Sequence, residues 1–191
     1  MKSIKDTETE KNLLKSFAGE SQARMRYTLF SKQASKDGFE QIAAIFLETA
    51  EQEGQHAKKF FSYLEGGMLE ITAMYPAGKV GSTAENLLAA AEGEYEEWSA
   101  DYPHFADVAD SEGFANIAAA WRKIASVEAE HEKRYRRLLE KVKTEHVFAR
   151  DSETTWQCRK CGYVHHGKEA PKACPVCAHP QAYFEEEKQN Y

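Results

Sequence analysis

The sequence predicts a mainly α-helical protein: an antiparallel four-helix bundle with one long crossover, followed by a small cysteine-rich module. Three observations carry that prediction. Long stretches rich in Ala, Glu, Leu and Lys keep a helical apolar period, and Gly and Pro breakers divide them into four segments. All four Cys and three of the five Pro then fall after residue 147. The change of composition sets two domains, residues 1–147 and 148–191. A tail so poor in aliphatic side chains cannot hold itself by core burial alone, so it needs a staple.

The first helix begins at a capping box, Thr7 with Glu10, and ends at Asp37-Gly38, where Gly suits a left-handed turn. The second runs from Phe39 to about Glu65 and stops at Gly66-Gly67. A linker with Pro76, Gly78 and Gly81 follows, long enough to cross a bundle from end to end. The third starts at a second capping box, Ser82 with Glu85; Pro103 is expected to kink or break it, and Gly113 marks the next turn. The fourth runs from Phe114 to about Lys143. Connections that are short, long and short fit an antiparallel four-helix bundle with one crossover.

Composition excludes several function classes. With 191 residues, 42% hydrophobic and 29% charged, the chain can bury a core and does not read as disordered. The apolar runs Ile42 to Leu47 and Leu87 to Ala91 fall far below the ~18 residues of a membrane span. Met1 to Glu10 is charged and polar, which predicts no secretory leader and a cytoplasmic protein. A net charge of −6 without a basic block makes nucleic acid an unexpected partner.

Steps of three and four residues define an inward stripe on each helix. The fourth helix gives Ile117, Trp121, Ile124, Glu128, His131, Tyr135, Leu138 and Val142, and the second gives Ile42, Phe46, Thr49, Glu53, His56, Phe60 and Tyr63. Each is a seam of large side chains interrupted at its middle by a Glu and a His one turn apart. The first helix contributes Glu20, with Ala23 and Tyr27 beyond it, and the third contributes Glu94, Trp98 and Tyr102. The halves repeat: Glu20 precedes Glu53 by 33 residues and Glu94 precedes Glu128 by 34. Glu97 breaks the repeat, because its counterpart is Ala23.

Charges on a core stripe must be desolvated, at a cost of several kcal/mol each. Five Glu and two His in a bundle centre repel one another without a counterion, and no Lys or Arg sits on these seams at that level. Protonated, hydrogen-bonded carboxyls or a water-filled cavity are the structural alternatives. A metal supplies the missing charge directly. One Glu from each of two helices plus Glu-x-x-His from each of the other two is the ligand set of di-iron carboxylate bundles, which predicts two irons, with manganese or zinc also compatible. Cys158-x-x-Cys161 and Cys174-x-x-Cys177, separated by twelve residues, predict a four-thiolate metal site in preference to two disulfides. Spacing does not separate zinc from a single iron there. His104, His146, His165, His166 and His179 lie off the seams and read as surface or turn residues; Phe46, Phe60 and Trp121 read as core packing that limits water access.

With these motifs in place, the whole chain resembles rubrerythrin, a ferritin-like di-iron bundle with a C-terminal rubredoxin-like domain. Trp156-Gln-Cys158, Cys161-Gly162-Tyr163 and Cys174-Pro175-Val176-Cys177 are similar to a rubredoxin, where four thiolates hold one iron. Free rubredoxins often have Gly after the last of these Cys; Ala178 stands here, which puts the sulfur hydrogen bonds, not the ligation, at issue. The resemblance implies that Glu53 and Glu128 bridge two irons, that Glu20 and Glu94 are terminal ligands, and that His131 is the permanent imidazole. It implies that one iron moves between Glu97 when oxidised and His56 when reduced. Tyr27 and Tyr102 are then hydrogen-bond donors to the ligands or to bound oxygen, or else simply core tyrosines.

The implied activity is a peroxidase of oxidative-stress defence, reducing hydrogen peroxide to water with electrons passed through the rubredoxin-like iron. The implied partners are an upstream electron donor, a reductase or a rubredoxin, and a second copy of the chain in a head-to-tail homodimer. Two rival readings stand beside it: a ferroxidase or oxygen-consuming oxidase, and a metal-storage or electron-carrier protein without turnover.

Overall fold

The computed structural model describes residues 2–188; Met1 and residues 189–191 of the small module lie outside the described residues. Helix α1 spans Glu8–Lys36, α2 Glu40–Phe61, α3 Thr83–Glu96, α4 Tyr102–Ser111 and α5 Ala115–Lys143. A five-residue π-helical segment, Glu97–Asp101, joins α3 to α4. The two therefore form one long helical arm of the bundle.

The start and stop signals act much as the sequence predicts. Thr7 Oγ1 accepts from Glu10 N, although the Glu10 carboxylate reaches back to the N–H of Asp6 rather than completing the box on Thr7. Ser82 and Glu85 form the full reciprocal box. Gly38 and Gly113, with φ of 87° and 83°, reverse the chain between α1 and α2 and between α4 and α5.

Two boundaries differ from expectation. α2 ends at Phe61, not near Glu65: Tyr63 and Leu64 donate to Phe60 and Phe61 in tight three-residue turns. Glu65 is drawn off to the N-terminal segment, where it accepts from Ser3 Oγ and Ile4 N. Pro103, expected to kink or break the third helix, instead follows the π segment. Proline has no N–H to return one turn and its ring crowds the carbonyl there, and just before it the register widens, Tyr102 N donating to Glu97 O five residues back.

The spacing of the repeat locates this insertion. Glu20 precedes Gly38 by 18 residues, Glu94 precedes Gly113 by 19, and both glycines precede the next glutamate of the repeat, Glu53 or Glu128, by 15. The extra residue of the second half thus lies on the arm that carries the π segment.

The bundle core is split. One apolar cluster gathers Tyr27, Phe30, Phe46, Leu87, Tyr135 and Leu138 toward one end, and another gathers Leu13, Phe60, Tyr102, Phe114, Ile117 and Trp121 toward the other. Between them lies a layer of buried carboxylates. Among the described residues no helix is long and apolar enough to cross a membrane.

The small module is an antiparallel sheet in the order β2-β1-β3, with β1 at Ala149–Cys158, β2 at Val164–Glu169 and β3 at Phe184–Glu186. Trp156, fully buried, pairs across with His165 and Glu186 and donates its indole N–H to Gly167 O at 3.0 Å. Its core is five residues, Trp156, Cys158, Ala170, Cys174 and Phe184. Phe148 stacks on Phe39 of the bundle at 6.0 Å between ring centroids.

Candidate metal centre

The carboxylate layer is built from one level of all four bundle arms. Glu20, Glu53, Glu94, Glu128 and His131 are each no more than 4% exposed, and the His56 side chain is 13% exposed. Their ligand atoms form two groups, Glu20 with Glu53, His56 and Glu128, and Glu53 with Glu94, Glu128 and His131. Glu53 and Glu128 belong to both. Such sharing is what two adjacent cations bridged by two carboxylates require.

The distances within each group are those of ligands around a common centre. His131 Nδ1 lies 2.8 Å from Glu128 Oε2 and 3.2 Å from Glu53 Oε1; His56 Nδ1 lies 2.8 Å from Glu128 Oε1 and 2.9 Å from Glu53 Oε2. Two donors at right angles on metal bonds of ~2.1 Å stand about 3.0 Å apart. The orientation fits too. Glu20 Oε2, Glu53 Oε1, Glu94 Oε2, both Glu128 oxygens and His131 Nδ1 are buried without a hydrogen-bond partner. Orphaned lone pairs are costly in a dry core unless a cation receives them.

His131 shows how its lone pair is aimed. Its Nε2 lies 2.9 Å from Gln52 Oε1, an acceptor, so Nε2 keeps its proton and Nδ1 is the nitrogen that a cation among the carboxylates would meet. Sequence reasoning missed Gln52, which lies beside the seam and carries no periodic signal. It also missed Glu132. Trp98, expected on the inward seam, turns to the edge of the bundle, because the widened turn alters the helical phase, and donates to Glu132 Oε2 at 2.7 Å.

Tyr27 and Tyr102 make a reciprocal pair. Tyr27 Oη donates to Glu94 Oε1 at 2.6 Å and Tyr102 Oη donates to Glu20 Oε1 at 2.5 Å, each crossing from one half of the repeat to the other. Burial first, then the adjacent carboxylates, push both phenols well above their usual range, so both keep the proton they donate. Glu97 stands apart from both groups; it is half-buried on the π segment, on the outer side of the layer. Its counterpart Ala23 is buried.

Without metal the layer is electrostatically frustrated. Burial, then the Glu128 charge, raises Glu20 well above the carboxylate range, and burial with Glu94 does the same to Glu97. Burial and Glu53 push Glu94 up to about 8. Glu53 goes the other way, to about 2, because the two imidazoles overcome its burial. Against burial, which lowers them, the carboxylates hold His56 at about 9 and His131 at about 12.

The four sulfurs of the small module also converge. Cys158 and Cys177 lie 3.8 Å apart and Cys161 and Cys174 3.5 Å, too far for disulfides and close to the ~3.8 Å edge of a tetrahedron with 2.3 Å metal–sulfur bonds. The knuckles mirror each other. Gly162 N donates to Cys158 O and Ala178 N donates to Cys174 O, both at 2.9 Å, and the two donors have φ of 77° and 60°. The off-seam histidines take exposed or half-buried positions, as their sequence context predicts.

Comparison with known proteins decides the family. A model described as rubrerythrin matches residues 11–139, and one described as the rubrerythrin rubredoxin-like domain matches residues 156–185. The chain belongs to the rubrerythrin family. It is 65% identical to the rubrerythrin of Porphyromonas gingivalis over 190 residues, covering 100% of this chain and 95% of that one, and 54% identical to the rubrerythrin of Nitratidesulfovibrio vulgaris, covering 97% of each. Among solved structures, a mixed-valence nigerythrin aligns over 97% of this chain and 92% of its own with 30% identity and a TM-score of 0.64. A Mycobacterium tuberculosis bacterioferritin, 22% identical with a TM-score of 0.63 over 73% of this chain and 88% of its own, shares the fold. Rubrerythrins are di-iron oxidoreductases linked to oxidative-stress defence. The residues of a carboxylate–imidazole di-iron site and of a rubredoxin-like four-thiolate iron site are both present in this member of the family.

Proposed function

We propose that this protein reduces hydrogen peroxide to water at a di-iron site in the bundle, with electrons arriving through the four-thiolate iron of residues 148–191. The observation that carries the reading is the pair of ligand groups sharing Glu53 and Glu128, in a chain that also holds a one-electron module. When bound, the two irons supply both electrons for cleavage of the O–O bond, which with two protons gives two waters.

The chain's residues have distinct parts in this reading. Glu53 and Glu128, common to both groups, would be shared between the two cations, Glu20 and Glu94 would hold them from α1 and α3, and His131, aimed by Gln52, would be a fixed ligand. His56 already faces the shared carboxylates while Glu97 stands off, an arrangement suited to ferrous ions, which accept a neutral imidazole. Glu97 is the carboxylate in reserve for the harder ferric state. Tyr27 and Tyr102 donate to Glu94 and Glu20 and fix their orientation. Phe46, Phe60 and Trp121, all fully buried, keep bulk water from the layer.

The electrons come in this reading from a reductase or a rubredoxin, and a head-to-tail homodimer presents each module to its partner's bundle. Full activity of a monomer at high dilution would remove the dimer from this account. The central test is stopped-flow oxidation of the anaerobically reduced, iron-loaded protein. Hydrogen peroxide should reoxidise the bundle irons much faster than dioxygen; equal rates would transfer the assignment to an oxidase or ferroxidase.

A further inference from the structure

The carboxylates of the layer are buried, and one cleft reaches its edge. A cleft of about 500 Å³ opens beside α1 and α3, and both Glu97 and Tyr102 line it. Its outer wall is the crossover between α2 and α3, which passes over α1 and is tied down twice: Tyr75 Oη donates to Lys15 O at 2.8 Å, and Gln22 Nε2 donates to Pro76 O at 2.7 Å. Two mid-helix glycines, Gly19 on α1 and Gly93 on α3, line the same cleft.

A glycine inside a helix costs about 1 kcal/mol relative to alanine, and Gly19 leaves open the space that a side chain would fill there. A Cβ on Gly19 would stand 3.5 Å from Tyr75 Cε1 and 4.0 Å from Glu97 Oε1. The missing side chain therefore lies between the ring of the crossover and the carboxylate of the site. A second cleft, between α2 and α5, touches His131, but Gln52 covers the outer nitrogen of that imidazole there. It leads to the back of a ligand, not to the carboxylates.

We propose that this cleft is the substrate port of the di-iron site, and that Tyr75 and Gly19 set its width so that hydrogen peroxide enters and bulky organic hydroperoxides do not. This rests on the peroxidase reading, whose substrate class it narrows. The ring of Tyr75 narrows the outer mouth, and the bare helix surface at Gly19 leaves a passage wide enough for a two-heavy-atom oxidant to reach Glu97. Tyr75 is a specificity-determining residue that touches no metal ligand by hydrogen bond; its hydroxyl is spent on the α1 backbone. Discrimination here is by size, which pockets achieve through exclusion.

The test uses the full-length, iron-loaded protein and two variants of opposite effect. Tyr75→Ala should raise the rate with tert-butyl hydroperoxide relative to hydrogen peroxide tenfold or more, and should speed extraction of ferrous iron by bipyridine. Gly19→Val should slow association of azide with the oxidised protein, followed by visible absorption, tenfold or more. Rates unchanged within twofold for azide, bipyridine and the hydroperoxide ratio would overturn the port. Should Gly19→Val fail to fold, Tyr75→Ala decides alone, since its ring lies on the exposed crossover. If the parent protein turns over neither peroxide while azide and bipyridine still sense the substitutions, the port stands and the peroxidase reading falls.

Discussion

Ala23 and Glu97 occupy equivalent places in the two halves of the repeat, and the difference between them is a single carboxylate. Glu97 ties up no hydrogen-bond partner of the layer and stands outside both ligand groups. Glu97→Ala is therefore expected to leave the melting temperature within a few degrees while peroxide turnover falls, on the order of a hundredfold; unchanged turnover would show the residue to be misassigned. The tyrosines behave differently because their hydroxyls are hydrogen-bonded to the Glu94 and Glu20 carboxylates of the layer. Tyr27→Phe and Tyr102→Phe should each lower turnover roughly 10–100-fold and destabilise by about 1–3 kcal/mol, since each strands a buried carboxylate oxygen. Kinetics and thermal melting on one preparation check both effects. At this scale the sequence was informative wherever burial and charge conflicted on one stripe: Glu20, Glu53, His56, Glu94, Glu128 and His131 were all legible. Gln52 and Glu132 were not, because a side chain that orients another by one hydrogen bond leaves no periodicity.

Elements carry their own lessons. The two knuckles place the residue after the second cysteine in the left-handed region, Gly162 without penalty and Ala178 with one. Because a Cβ there crowds the backbone, Ala178→Gly is expected to stabilise the module by about 1 kcal/mol. Thermal loss of the visible thiolate–iron absorption would report it, and an unchanged or lower midpoint would mean that the loop pays no strain for its alanine. The capping boxes and glycine turns were readable from local chemistry alone. The π segment was readable in principle, since the counts of 18 and 19 residues from glutamate to turn differ by one, but Pro103 suggested a kink or a break instead. A proline signals a missing hydrogen bond; it does not say whether the chain bends or widens its turn. The end of α2 was misjudged for another reason: Glu65 is claimed by Ser3 and Ile4, more than 60 positions away in the chain, and no local pattern carries such a contact.

At the scale of the molecule, the division of the bundle core by a charged layer governs stability. In the metal-free protein Glu94 keeps its proton up to about pH 8, whereas in the unfolded chain it loses it near 4.5. The native state thus binds more protons than the unfolded one across that window, and stability falls as pH rises through it. Glu20 and Glu97, also raised, act in the same direction. His56 and His131, holding protons to about 9 and 12 against an ordinary 6.5, extend the loss upward. Glu53, lowered to about 2, works oppositely, its contribution disappearing as pH drops below the carboxylate range. Denaturant melts of the metal-free protein should therefore show greatest stability near pH 5 and a decline toward pH 8, while the iron-loaded protein shows no such decline because metal binds the deprotonated groups. A metal-free protein more stable at pH 8 than at pH 5 would contradict the burial of these carboxylates. The two-part organisation was legible from the cysteines and prolines of the tail; the cleft beside Tyr75 was not, because it arises where a crossover lands, and a linker's path is set by the surfaces it crosses. The charged layer has a final consequence for assembly. An empty bundle stores protons on the very atoms that cations will occupy, so iron entry is proton exit: filling the bundle in unbuffered solution should acidify it, and an acidic medium should work against filling.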